Sequence, residues 1–193
     1  YFNNMILRDL RALEYARSLP EWNRKEIYLI GGSQGAFALN EWASHNFDRL
    51  AEKGIDVLCV CGPGKNAFPG RTVKTKNCGE RKIAFLEFCD DMASAMSAAD
   101  LAVARAGAGT IAELARCLLP SVIVPYPFAA DNHQRENAKC FEKQGGCAVL
   151  DQNDMHKLFD EVACLMGNSA LLETMRENLA RVDALNDTSK IIG

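Results

Sequence analysis

Two glycine-rich turns sit about 75 residues apart in this chain, Gly31-Gly32-Ser33-Gln34-Gly35 and Ala106-Gly107-Ala108-Gly109-Thr110. Each follows a short apolar run and opens a helical pattern. A turn without side-chain bulk lets a ligand approach the backbone, and the helix start behind it offers unpaired N–H groups and the positive end of the dipole. Two such turns in a chain that alternates strand and helix predict a diphosphate-bearing ligand at the strand ends of a parallel sheet.

The alternation can be read along most of the chain. Residues 5–19 place Met5, Leu7, Leu10, Leu13 and Leu19 at near-helical spacing before Pro20. Strands are predicted at Glu26–Ile30, Ile55–Val60, Ile83–Phe88, Leu101–Ala104, Ser121–Val124 and Cys147–Leu150. Helices are predicted from about Gly35 to Lys53, Asp91 to Ala98, Thr110 to Cys117, Asn132 to Lys143, Asp154 to Met166 and Ser169 to Ala184. Between Val60 and Ile83, Cys61-Gly62-Pro63-Gly64 and a Lys/Arg-rich stretch read as irregular. About six strands interleaved with helices define an α/β fold, a Rossmann-like doubly wound parallel sheet read as a single domain. The turns at 31–35, 88–91, 106–110 and 125–134 then fall on the carboxyl edge, where they are expected to share one cleft.

Composition narrows the function. A hydrophobic content of 48% over 193 residues suffices for one solid core. A net charge of -3 lacks the basic footprint of a nucleic-acid binder, so no nucleic-acid partner is expected. The eight cysteines are scattered, mostly within apolar runs, and read as reduced thiols of a cytoplasmic protein. Cys59 and Cys61 lie far in sequence from His45, His133 and His156, so no metal is expected. No apolar run reaches the roughly 18 residues of a membrane span, and the first residues do not form a signal peptide. A soluble chain is expected, with a role at a membrane surface left open.

The first turn lacks the Gly-Lys-Ser/Thr ending of a P-loop, which disfavours phosphoryl transfer. Gly107-Ala108-Gly109-Thr110-Ile111-Ala112 has the spacing of a dinucleotide fingerprint. The strand that follows ends in Pro125-Tyr126-Pro127-Phe128 with no acid until Asp131, against a nicotinamide or flavin site. Glu113, one turn inside the helix, could take both hydroxyls of a ribose or act as an ordinary first-turn acid. His133 and Gln134 open the next helix, where ligand contact and simple capping both fit. Asp90-Asp91 reads as the acidic start of a short helix.

Taken together, Gly31-Gly32-Ser33-Gln34-Gly35-Ala36, Phe88-Cys89-Asp90-Asp91-Met92, the segment from Arg105 to Leu114 and the segment from Ala129 to Ala138 resemble the carboxy-terminal half of the MurG family. That family comprises GT-B glycosyltransferases of family 28, which move N-acetylglucosamine from UDP-GlcNAc to undecaprenyl-linked MurNAc-pentapeptide in peptidoglycan synthesis. The resemblance covers Glu26 to Gly193 and implies an inverting hexosyltransferase with no cofactor. It places Ser33 at the donor diphosphate, with Gly32, Gln34 and Gly35 beside it in the UDP-GlcNAc site, and the Cys89 backbone at the uracil edge. Ala108, Gly109, Thr110, Ile111, Ala112 and Glu113 fall at phosphate and ribose, and Gln134 at the transferred sugar, with His133 in the same UDP-GlcNAc site. Ala106, Cys89 and Gly109 depart from the serine, isoleucine and bulkier residue usual in the family. The resemblance further implies that acceptor binding and the general base belong to an amino-terminal half, at the cytoplasmic face of the bacterial inner membrane. Residues 1–25 would be a linker helix and 26–193 the donor domain. Another UDP-sugar transferase subunit that needs an acceptor-domain partner, or a non-catalytic nucleotide-sugar module, would carry the same turns.

Overall fold

A computed structural model describes residues 26–30, 37–62, 68–128 and 133–185. The helix expected over residues 5–19 lies outside them. The described residues pack into two compact units, the first ending at Ala104 and the second beginning at Arg105, where the sequence marks no boundary.

The first unit holds strands β1 (Glu26–Ile30), β2 (Asp56–Val60), β3 (Arg71–Lys74), β4 (Glu80–Leu86) and β5 (Leu101–Ala104) in the spatial order β3-β4-β2-β1-β5. β1 pairs in parallel with β2, Glu26 opposite Asp56, and with β5, Ile27 opposite Leu101. Every residue of β5 is buried, as a strand covered on both faces requires. Helix α1 (Phe37–Glu52) buries Leu39, Ala43, Phe47 and Leu50, an apolar stripe at helical spacing. Gly54 ends it with φ at 78°, its N–H reaching Ala51 O.

The basic stretch expected to be irregular instead contains β3, antiparallel to β4 with Arg71 opposite Ile83 and Lys74 opposite Glu80. This edge strand alternates half-buried Arg71 and Val73 with exposed Thr72 and Lys74. The Arg71 guanidinium lies 5.1 Å from the Phe47 ring centroid and pairs with Asp48, so a charged side chain covers what a hydrophobe would. The apolar period of two is thereby hidden. Helix α2 (Met92–Ala98) connects β4 to β5.

The second unit holds α3 (Ala108–Arg116), β6 (Ser121–Ile123), α4 (His133–Lys143), β7 (Cys147–Val149), a 3-10 turn (Gln152–Lys157), α5 (Leu158–Gly167) and α6 (Ser169–Leu185). β6 and β7 pair in parallel, Ser121 opposite Cys147. α6 packs through Leu172, Met175 and Leu179, and its Asp183 pairs with Arg116 of α3 at 3.1 Å. It approaches so closely that a Cβ on Gly146 would lie 2.2 Å from Leu179 Cδ2. Burial, aided by Glu142, pushes the Cys147 thiol up to about 12. At neutral pH it is a small apolar filler. All eight cysteines are free, although Cys140 and Cys164 are exposed rather than packed inside. Among the described residues no helix is long and apolar enough to cross a membrane.

Candidate functional site

The site is built on the start of α3. Gly107 is its N-cap, with extended backbone and no side-chain hydrogen bond into the helix. Ile111 N–H donates to Gly107 O at 3.0 Å and closes the first turn. The amides of Ala108, Gly109 and Thr110 precede that bond and have no carbonyl four residues back within the helix. Ala108 and Gly109 are exposed, and among the described residues nothing lies within 4 Å of where a Gly109 Cβ would stand. Three donors and the positive end of the dipole therefore open onto an uncrowded surface.

A buried cation backs this turn. Arg105, 8% exposed, donates from Nη1 to Val124 O at 3.1 Å and Pro125 O at 3.3 Å. Its guanidinium carbon sits 5.5 Å from the Tyr126 ring centroid. Desolvation lowers its pKa from the ordinary arginine value, partly countered by Tyr126. Arginine titrates so far above neutrality that the group stays charged. No carboxylate pairs with it among the described residues.

Glu113 is exposed and stands four residues after Gly109, on the same helical face. Helical side chains lean toward the N-terminus, so a residue at this position covers surface of the turn before it. Thr110 is half-buried, with Oγ1 3.6 Å from the ideal Cβ position at Gly107. Ile111 and Ala112 also line a groove on another side of the helix. Shared with Ala108, Ala115 and Phe141, it measures about 240 Å³ and lies among α3, α4 and α6. Ile111 N–H is committed to Gly107 O, so this amide is not among the open donors.

The segment after β6 is fixed to α4. Gln134 Oε1 accepts from Tyr126 N at 3.0 Å, and Asn137 Nδ2 donates to Ala106 O at 3.2 Å. Asn137 therefore ties α4 to the second glycine turn, while Gln134 ties it to the connection. Gln134 keeps its amide NH2 as a donor, and His133 is exposed beside it. Arg105 and Asn137 were given no role by sequence reasoning. A lone arginine ending the apolar run Leu101–Ala104 was the available signal for the first, and the i, i+3 spacing from Gln134 for the second. In the first unit, Cys89 is half-buried between β4 and α2. Asp91 caps α2, its Oδ1 accepting from Ser94 N at 3.0 Å. Gly32, Ser33, Gln34 and Gly35 lie outside the described residues.

Parallel strands joined by helices, with a helix start open at a strand's carboxyl end, make this a Rossmann-like α/β chain of the kind that forms the carboxy-terminal half of a GT-B glycosyltransferase. The glycosyltransferase family 28 C-terminal domain matches residues 26–190, and the chain belongs to that family. The UDP-N-acetylglucosamine–N-acetylmuramyl-(pentapeptide) pyrophosphoryl-undecaprenol N-acetylglucosamine transferase of Opitutus terrae is 45% identical over 163 residues, 84% of this chain and 43% of that protein. The transferase of the same name from Sorangium cellulosum is 37% identical over 175 residues, 88% of this chain and again 43% of the relative. The chain thus spans 43% of the length of these two relatives. Acinetobacter baumannii MurG has a similar structure, with a TM-score of 0.60 and 25% identity over 88% of this chain and 48% of that one. The glycotransferase of kitacinnamycin, with a TM-score of 0.62 at 19% identity, covering 84% of this chain and 40% of that one, shares the fold.

Proposed function

We propose that this chain binds UDP-GlcNAc and serves as the donor half of an inverting N-acetylglucosaminyltransferase acting on lipid-linked MurNAc-pentapeptide. The observation that carries the reading is the uncapped start of α3 at Gly107, backed by the buried charge of Arg105. A diphosphate placed there receives the amides of Ala108, Gly109 and Thr110. They stabilise the UDP leaving group electrostatically without reorganising during the reaction. Glu113 takes the ribose hydroxyls, the NH2 of Gln134 and His133 meet the sugar, and the Cys89 backbone reads the uracil. Gly32, Ser33, Gln34 and Gly35 add diphosphate contacts, and Ile111 and Ala112 shape the helix behind the site. Residues 26–193 form the donor domain, with 1–25 as a linker.

In this reading the acceptor hydroxyl attacks the anomeric carbon and UDP departs from the opposite face. The proton goes to a base on an amino-terminal half, which also holds the lipid acceptor at the cytoplasmic face of the inner membrane. Calorimetry of the 193-residue chain with UDP-GlcNAc, UDP-GalNAc, a GDP-sugar and NADH tests donor binding. UDP-GlcNAc is expected to bind best, and preference for NADH would overturn the reading. Transfer to the lipid-linked acceptor should appear only when an amino-terminal half is supplied; rapid transfer by this chain alone would refute the division of labour.

A further inference from the structure

The connection after β6 ends in an aromatic pair that the proposed donor contacts do not use. Phe128 is 80% exposed and Tyr126 is 45% exposed, their centroids 5.8 Å apart in an edge-to-face arrangement at 73°. Single exposed hydrophobes are ordinary on protein surfaces. This pair differs in what lies beneath it. The Tyr126 ring packs on the buried Arg105 guanidinium, its N–H is held by Gln134 Oε1, and Pro125 and Pro127 restrict the backbone on either side. Phe128 is thus the outer ring of a stack whose base is the cation behind the α3 turn, and its segment is bonded to the helix carrying His133 and Gln134.

We propose that Phe128, propped by Tyr126, is the platform on which the hexose ring of the nucleotide sugar stacks, making it a specificity-determining residue of the donor site. The inference rests on the donor-binding reading above. A pyranose presents C–H bonds on its faces and hydroxyls around its rim. The C–H face complements the negative face of an aromatic ring. The rim meets the two groups at the start of α4. Gln134 has its carbonyl committed to Tyr126 N, so it offers the sugar a donor. With ribose taken by Glu113 along α3, the hexose end of the diphosphate is the end that turns toward α4. A flat nucleobase would also stack on a phenyl ring, and UDP, which carries the base and lacks the hexose, tells the two apart.

The test compares UDP-GlcNAc with UDP on the same chain by calorimetry. Phe128→Ala should weaken UDP-GlcNAc about fivefold, within the range of one aromatic contact, and leave UDP unchanged. Phe128→Tyr should restore wild-type affinity. Because Phe128 is so exposed, the melting temperature of the variant should match wild type and exclude misfolding. Equal weakening of UDP and UDP-GlcNAc by Phe128→Ala would assign the ring to the nucleotide and overturn the proposal, as would no change in either. Failure of the wild-type chain to bind UDP at all would sink the donor reading itself, and the platform with it.

Discussion

Two helix starts in this molecule solve the same physical problem in opposite ways. α2 begins behind Asp91, whose carboxylate accepts from Ser94 N at 3.0 Å, so the helix satisfies its own first turn. α6 does likewise with Asn168, whose Oδ1 accepts from Leu171 N at 3.0 Å. α3 begins behind Gly107, which has no side chain to offer. Replacing a good N-cap by glycine costs only a few tenths of a kcal/mol, about 0.3 in typical helices. The open start is therefore cheap for the fold, yet it leaves a full set of amides for a ligand. On the proposed reading, a side-chain cap marks a structural helix, and a glycine there, with Arg105 buried two residues earlier, marks one whose acceptor is the ligand.

The comparison breaks most sharply if α3 is given the cap of α2. Gly107 has φ at -66°, and a Cβ there would lie 3.6 Å from Thr110 Oγ1, so Gly107→Asp fits without strain. Its carboxylate should occupy the open amides and repel a phosphate. Loss of one or two charge-assisted hydrogen bonds corresponds to a fall in UDP affinity of about 100-fold. The melting temperature should stay level or rise slightly. Gly107→Ala adds bulk without a capping oxygen and should bind UDP nearly as wild type. If Gly107→Asp binds UDP normally, the open start is not the phosphate site.

Glu113→Ala sharpens the same contrast from inside the helix. Removal of an exposed carboxylate should leave stability unchanged while weakening UDP about tenfold, the scale of a charged hydrogen bond. The variant should also lose discrimination between UDP and its 2′-deoxy counterpart. Unchanged affinity would return Glu113 to the role of an ordinary surface acid.

What was legible in the sequence follows from how local each signal is. β1 and β5 are found at their expected limits because short continuous apolar runs bounded by polar residues carry their own boundaries. β3 was missed because Arg71 and Lys74 hide its alternation, and burial of the Arg71 stem on Phe47 is a contact between distant residues. α3 starts at Ala108 rather than near Thr110 because Gly109 is taken into the helix. The predicted helix near 154–166 divides into a 3-10 turn and α5 at Leu158. Within the site, the second glycine turn stands out by spacing, whereas the ribose role of Glu113 comes only from the family resemblance, since an ordinary first-turn acid fits that position equally well. The role of Arg105 does not stand out, since its partners are carbonyls 19 and 20 residues away, and a main-chain acceptor leaves no mark on residue identity.

The smallest effect is expected where the comparison is purely structural. Asp91→Ala removes the α2 cap and should cost about 1 kcal/mol. For a chain of this size, that corresponds to a melting-temperature drop of about 3 °C. α2 is seven residues long and buries only Met96, so it has little packing with which to absorb the loss. UDP affinity should stay within about twofold, because the carboxylate spends itself on Ser94 N within its own helix. A drop in UDP affinity matching that of Gly107→Asp, without loss of stability, would show that an acid-capped start can also serve the ligand. The distinction between closed and open helix starts would then fail as a guide to the proposed donor site.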